Sequence, residues 1–321
     1  MTKSYKLFDP RFGKEELEAI HEVLSSGILT QGLKVAKLEK EFAIYVGSKY
    51  AVAVNSCTSA LFLSLLYEKE TSRMHKVKIP SVTFVSVANM ILNAGLQLKF
   101  LDEIHVGNWY WLKGTSIIDS AHSLYRECYK TDSLMCFSFY PTKLLGSVEG
   151  GMIATDSERA RDWLRKMRSN GMERKGMFDW DYIVELVGWK MNMNDIQAAI
   201  ILTRLKKLEQ YNKNREMIRD CYNTAFGLNN KSLHVYPLMV ENRDEFIKQM
   251  TKVGIQCSVH FKPIHLQPAY KKYLADNILT KSEEWGKKSV SIPLHENMDA
   301  FSAEMIIKKV NKYADRNQTS L

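Results

Sequence analysis

Phe137-Ser138-Phe139-Tyr140-Pro141-Thr142-Lys143, followed by Glu149-Gly150-Gly151, is the stretch on which the reading of the fold turns. An apolar run over 134–139 reads as a buried strand, and it ends in a proline-containing turn that carries a lysine. Upstream, Ser116-Ile117-Ile118 is a second short apolar run, and it ends in Asp119-Ser120-Ala121-His122. Further runs at 77–79, 98–101 and 151–154, with Tyr50-Ala51-Val52-Ala53-Val54, alternate with helical patterns. Alternation of this kind predicts an α/β layer fold with a mostly parallel sheet flanked by helices. Residues 14–26 are predicted to form an amphipathic helix stopped by Gly27, and a second helix is expected over 33–46. A single long helix is expected over 194–224. Its end near Phe226-Gly227-Leu228-Asn229-Asn230 marks the expected boundary between a large domain, 1–226, and a smaller α+β domain, 227–321.

The composition narrows the classes of function. The 321 residues are 45% hydrophobic and 25% charged, ordinary for a soluble globular protein. No apolar run is long enough for a membrane span, and Met1-Thr2-Lys3-Ser4-Tyr5-Lys6 leads into no signal-peptide core. Five cysteines lack metal-type spacing, and an odd count without a secretory signal predicts reduced thiols in a cytoplasm. The formal charge of +9 admits a nucleic-acid partner or an anionic substrate. Much of the excess lies in stretches such as Lys206-Lys207 and Lys308-Lys309, which read as solvated helix faces. No Gly-x-Gly-x-x-Gly opens a helix, which argues against a dinucleotide-binding dehydrogenase.

The chemistry lies at the strand ends. A lysine amine can form a Schiff base with the aldehyde of pyridoxal phosphate (PLP), and a carboxylate can keep the ring nitrogen protonated. Lys143 and Asp119 are placed for those two parts, at the carboxyl ends of strands where open α/β sheets bind ligands. Taken alone, Asp119 could instead cap a helix, and a lone lysine is usually solvated. Asn55-Ser56-Cys57-Thr58-Ser59-Ala60 comes after a strand and opens a helix, so its free N–H groups and hydroxyls suit a phosphate. A plain N-cap by Ser56 or Thr58 would explain the same residues. Phe84, after Pro80-Ser81-Val82-Thr83, is either a flat face for a ring or a core residue.

In this order the segments resemble the DegT/DnrJ/EryC1/StrS family of sugar aminotransferases, a branch of the fold-type I PLP enzymes. The resemblance runs from about Phe8 to about residue 310. It includes Ser25-Ser26-Gly27-Ile28-Leu29-Thr30-Gln31-Gly32, Leu38–Gly47, the phosphate loop, Pro80–Phe84, Asp119–His122 and the lysine motif. Gly188–Ala199 and Lys262-Pro263-Ile264-His265 complete it. The resemblance implies that Lys143 bears the cofactor and shuttles protons, that Asp119 pairs with the ring nitrogen, and that His122 lies near the ring hydroxyl. It implies that Phe84 stacks on the ring and that Thr58, Ser59 and Ser138 hold the phosphate. A homodimer with shared sites is also implied, with Lys190 reaching the neighbour's phosphate. Family members often carry Asn there and Arg two residues later, where this chain has Asn192. Thr30 and His265 are candidates near the substrate by motif position. Cys57 stands where Gly or Ala is usual, and would be redox-sensitive if exposed.

The implied activity is PLP-dependent transfer of an amino group from an amino acid, most often L-glutamate, to a nucleotide-linked keto sugar. Basic residues around the cleft are expected for the sugar nucleotide's pyrophosphate. A PLP-dependent sugar dehydratase is the nearest rival, but it replaces the lysine with histidine. A non-catalytic regulatory or binding protein of the same fold is the other alternative. One departure stands out: Asp102 and Asp119 are too close for the usual strand plus a parallel crossover, which alone needs about a dozen residues. Trp109-Tyr110-Trp111-Leu112 could form one short strand there. Either the sheet is narrower or this segment fills the gap irregularly, and its aromatics are expected to cover sheet left bare by the lost helix, with stacking on a base or sugar the alternative.

Overall fold

The computed structural model describes residues 4–174, 181–274 and 278–314. The chain begins with α1 (Lys14–Ser26) and α2 (Leu33–Val46), then β1 (Tyr50–Val54), α3 (Cys57–Ser72), β2 (Lys76–Val82), α4 (Ser86–Asn93) and β3 (Gln97–Ile104). Next come β4 (Tyr110–Trp111), β5 (Ile117–Asp119), β6 (Leu134–Ser138), β7 (Gly151–Thr155) and α5 (Glu158–Met167). A hairpin, β8 (Met172–Arg174) and β9 (Tyr182–Val184), precedes α6 (Asp195–Leu205) and α7 (Leu208–Phe226). The remainder is β10 (Tyr236–Met239), α8 (Arg243–Lys252), α9 (Thr280–Lys288), β11 (Ser289–Ile292) and α10 (Ala300–Tyr313). Local signals set the helix ends. The Glu16 carboxylate accepts the Gly13 N–H at 2.6 Å at the start of α1, and Gly27, at φ 70°, ends it. The long helix expected over 194–224 is two helices, α6 and α7, with the chain turning at Lys206-Lys207.

The central sheet has the order β1-β7-β6-β5-β4, and an antiparallel bridge from Lys113 to Lys78 joins it to the parallel pair β2-β3. β5 runs parallel to β6, while β7 is antiparallel to both β1 and β6. β1, β2, β3, β5 and β6 therefore point one way, and only β4 and β7 are reversed. Side chains alternate between the two faces, as the two-residue strand period requires. Val52 and Val54 join one core with α3, α4 and α5, and Ala51 and Ala53 join the other with α2 and α6. A third core surrounds β10 and β11, and Ile218 and Tyr222 from the second half of α7 belong to it.

The short stretch before Asp119 keeps a strand but no crossover. β4 forms a hairpin with β5, setting Tyr110 opposite Asp119 and Trp111 opposite Ile118. Gly114, at φ 95°, lets the chain reverse in a tight turn, where the Leu112 N–H donates to the Ile117 carbonyl at 2.9 Å. An antiparallel neighbour needs only a turn, whereas a parallel one needs a crossover. The short interval is thus spanned by an antiparallel strand and a tight turn, and it is filled in an orderly way. Tyr110 and Leu112 point into the core, Trp111 is 38% exposed, and the Lys130 ammonium lies over the partly buried Trp109 ring.

Candidate active site

The carboxyl ends of β1, β2, β5 and β6 open on a cavity of about 460 Å³. Asp119, the last residue of β5, lines it. Its Oδ1 accepts the Ala121 N–H at 3.0 Å, and its Oδ2 accepts the Tyr110 hydroxyl at 3.2 Å. Burial pushes this carboxyl upward, and the hydrogen bonds and the nearby Lys143 charge pull it back.

Lys143 sits in the turn after β6, whose shape is imposed by close backbone approaches. Its N–H donates to the Tyr140 carbonyl at 2.9 Å, and the Ser147 N–H donates to the Phe139 carbonyl at 2.8 Å. A side chain at Gly146 would place a Cβ 2.3 Å from the Pro141 carbonyl oxygen, so glycine is required there. The Lys143 Nζ lies 3.3 Å from His234 Nε2. Burial draws this amine down from 10.5 to about 8, against the opposing pull of Asp119.

His122 is buried in the same wall, its ring 4.5 Å from that of His234. Its Nδ1 accepts the Gly107 N–H at 3.0 Å, which puts the proton of the neutral ring on Nε2. Burial holds His122 well below the usual histidine range, with the Lys143 charge adding to the effect. Thr58, Ser138 and Phe84 also line the cavity. Thr58 lies in the first turn of α3, whose N-cap is Ser56, accepting the Ser59 N–H at 3.1 Å. Phe84 is 52% exposed, with its ring 5.6 Å from Phe261. Cys57 reaches the cavity too, but burial lifts its thiol well above the ordinary value, so it is protonated and poorly nucleophilic.

Four of the residues singled out from sequence lie elsewhere. The Ser59 hydroxyl donates to Asn55 Oδ1 at 2.7 Å and does not line the cavity. His265 is buried behind β2, bonded through Nδ1 to Ser81, with Nε2 3.6 Å from Glu283. Thr30 is exposed and uses its carbonyl to accept the Asp195 N–H at 2.9 Å. Lys190 is exposed, and its backbone bridges Ser169. Other lining residues carry no signal in the sequence: His105 and Asn108 from the segment before β4, and His234, His260 and Phe261 from beyond α7. The clue for Tyr110 is present in the alternation of Trp109-Tyr110-Trp111-Leu112, whose second and fourth members face inward. Among the described lining residues Lys143 is the sole lysine or arginine, so the basic cleft expected from the sequence is not seen among them.

The sequence profile of the DegT/DnrJ/EryC1/StrS aminotransferase family matches residues 10–108 and 115–311. The chain belongs to this family. It is an aminotransferase of the fold-type I class, and the α/β sheet with its site at the strand ends is the architecture expected from the sequence. The spore coat polysaccharide biosynthesis protein SpsC of Bacillus subtilis strain 168 is 33% identical over 369 aligned positions, covering 94% of this chain and 95% of SpsC. A UDP-4-amino-4,6-dideoxy-N-acetyl-beta-L-altrosamine transaminase of Campylobacter jejuni serotype O:2 is 28% identical, covering 95% of each chain. The solved structure of Helicobacter pylori PseC, an aminotransferase involved in the biosynthesis of pseudoaminic acid, superposes with a TM-score of 0.83. It is 24% identical and covers 98% of this chain and 100% of PseC. The family match breaks at 109–114, across β4 and its turn.

PLP fits the residues present. The cavity joins an amine, a carboxylate and the N-terminus of α3, and so offers a partner for the aldehyde, the ring nitrogen and the phosphate.

Proposed function

We propose that this aminotransferase holds PLP through Lys143 and moves an amino group from an amino acid such as L-glutamate to a nucleotide-linked keto sugar. The observation that carries the reading is that the Lys143 amine and the Asp119 carboxylate line one cavity, at the ends of adjacent parallel strands. When bound, PLP supplies an electrophilic aldehyde and an electron-accepting ring, the chemistry that amine transfer needs.

The side chains divide the remaining tasks. Near neutral pH the Lys143 amine, at about 8, exists in both protonation states, so it can take a proton from one carbon and return it to another. Asp119 holds the proton on the ring nitrogen, because a buried carboxylate beside a cation favours the charged pair. The Nε2–H of His122 is a donor for the ring hydroxyl, and Phe84 offers the ring a flat face. Thr58, Ser138 and the first N–H groups of α3 take the phosphate.

The sugar nucleotide's pyrophosphate needs cations beyond Lys143, the one lysine or arginine among the described lining residues. A homodimer would bring further basic residues to each site, with Lys190 of a second copy reaching the cofactor phosphate. The exposed apolar residues Leu17, Leu24, Leu33, Ile44 and Val187 support such an association. The test is to incubate the protein, PLP and L-glutamate with nucleotide-linked 4-keto-6-deoxyhexoses and follow 2-oxoglutarate and amino-sugar products by mass spectrometry. Stoichiometric formation of both supports the reading. Glutamate turnover with no sugar acceptor in the panel giving product would refute the substrate class.

A further inference from the structure

The short strand β4 brings a phenol to the carboxylate of the site. Tyr110 and Asp119 are directly paired across β4 and β5, so their side chains project from the same face of the sheet. The phenol donates to Asp119 Oδ2 at 3.2 Å and lies 2.8 Å from Thr83 Oγ1. A phenol has one proton to give, so its bond to Thr83 must be accepted from the threonine. The result is a directed chain, Thr83 to Tyr110 to Asp119, buried at every member. The His105 ring, 5.0 Å from the Tyr110 ring, and Leu112 in the core hold the strand in place.

We propose that Tyr110 is a positioning residue, which aims the Asp119 carboxylate and keeps it ionised so that the ring nitrogen of PLP retains its proton. The proposal rests on the PLP reading above and adds a residue from the stretch where the family match is interrupted. A carboxylate that receives a second donor holds its own proton less well. Without the phenol, the proton shared by ring nitrogen and carboxylate moves toward the carboxylate, and the ring becomes a poorer electron acceptor. The other titratable group acting on Asp119 is Lys143, the carboxylate in turn raises the nearby Cys57 and Cys136 thiols, and among these four groups the phenol is the one that donates to the carboxylate.

The test is the ¹⁵N spectrum of protein reconstituted with PLP labelled at the ring nitrogen, in wild type, Tyr110→Phe and Thr83→Val. Wild type should show the protonated ring. Tyr110→Phe, which keeps the packing ring and loses only the oxygen, should move the resonance toward neutral pyridine and weaken PLP binding by about tenfold, the scale of one charge-assisted hydrogen bond. Thr83→Val leaves the phenol on Asp119 and should stay at the protonated position. A Tyr110→Phe spectrum and PLP affinity like those of wild type would overturn the proposal, as would a change that Thr83→Val reproduces. If Tyr110→Phe does not fold, 3-fluorotyrosine at 110, a stronger donor, should keep the ring nitrogen protonated to a higher pH than tyrosine does, and an unchanged midpoint in the ¹⁵N titration would overturn the proposal. Wild-type protein that takes up no PLP would instead refute the cofactor reading itself, before any variant is compared.

Discussion

The titration of Lys143 can be measured without any cofactor. Burial brings its amine from 10.5 to about 8, with the Asp119 carboxylate opposing the drop. At pH 7.5 roughly a quarter of an amine with that value is neutral, against about one part in a thousand for an ordinary lysine. The nucleophilic form is therefore enriched ~200-fold by the walls of the cavity. Competitive labelling with trace acetic anhydride, read peptide by peptide in the mass spectrometer, reports this directly. With N-acetyl-lysine as an internal standard, Lys143 labelling should reach half its plateau near pH 8, and the standard far above. The sign of the Asp119 effect gives a second arm. The carboxylate attracts the ammonium and raises the value, so Asp119→Asn should lower the half-point further. If Lys143 follows the standard, or if Asp119→Asn moves it upward, the electrostatic account of the site is wrong.

Other perturbations reach the supports of the site. Glu296 is buried between two guanidinium groups, 3.0 Å from Arg204 and 2.7 Å from Arg215, and Arg215 also donates to the Leu144 carbonyl beside Lys143. Glu296→Ala leaves both cations without a counter-charge and should cost about 3–5 kcal/mol in urea denaturation, whereas a loss below about 1 kcal/mol would contradict the arrangement. Gly107 has φ 82°, and an added Cβ would fall 2.4 Å from Ser232 Oγ. Gly107→Ala should therefore cost about 1–3 kcal/mol and weaken PLP binding, because it displaces the N–H that His122 accepts; unchanged binding in titrations would argue against that link. Burial keeps the Cys57 thiol protonated, so it should resist a thiol-specific disulfide reagent at pH 8 until the protein is unfolded. Rapid reaction in the native state would mean the loop opens.

Much of the site is legible in the sequence, because the decisive residues sit next to strong local signals. Asp119 and Lys143 each end or come just after a short apolar run, and such runs fix strand ends closely. The helices over 14–26 and 33–46 are legible for the same reason, each stopped by a glycine that takes a positive φ. The features that sequence leaves unresolved depend on long-range packing. The direction of β4 is not legible, since an apolar alternation has the same period whichever way its strand runs. His234 and His260 reach the cavity from beyond α7, and no local pattern marks them. His265 and Thr30 belong to matching motifs, yet a motif gives no distance to the cavity, and here their bonds are to Ser81 and Asp195. The turn at Lys206-Lys207 is hidden because both halves have good helical composition.

The measurement that bears most directly on the central claim is the absorption spectrum of the purified protein mixed with PLP, before and after L-glutamate, beside Lys143→Ala. The account predicts a visible band from lysine-bound PLP that glutamate converts to the pyridoxamine form, with neither the band nor the conversion in the variant. An unbound PLP spectrum in the wild type, or a band that survives Lys143→Ala, would contradict it.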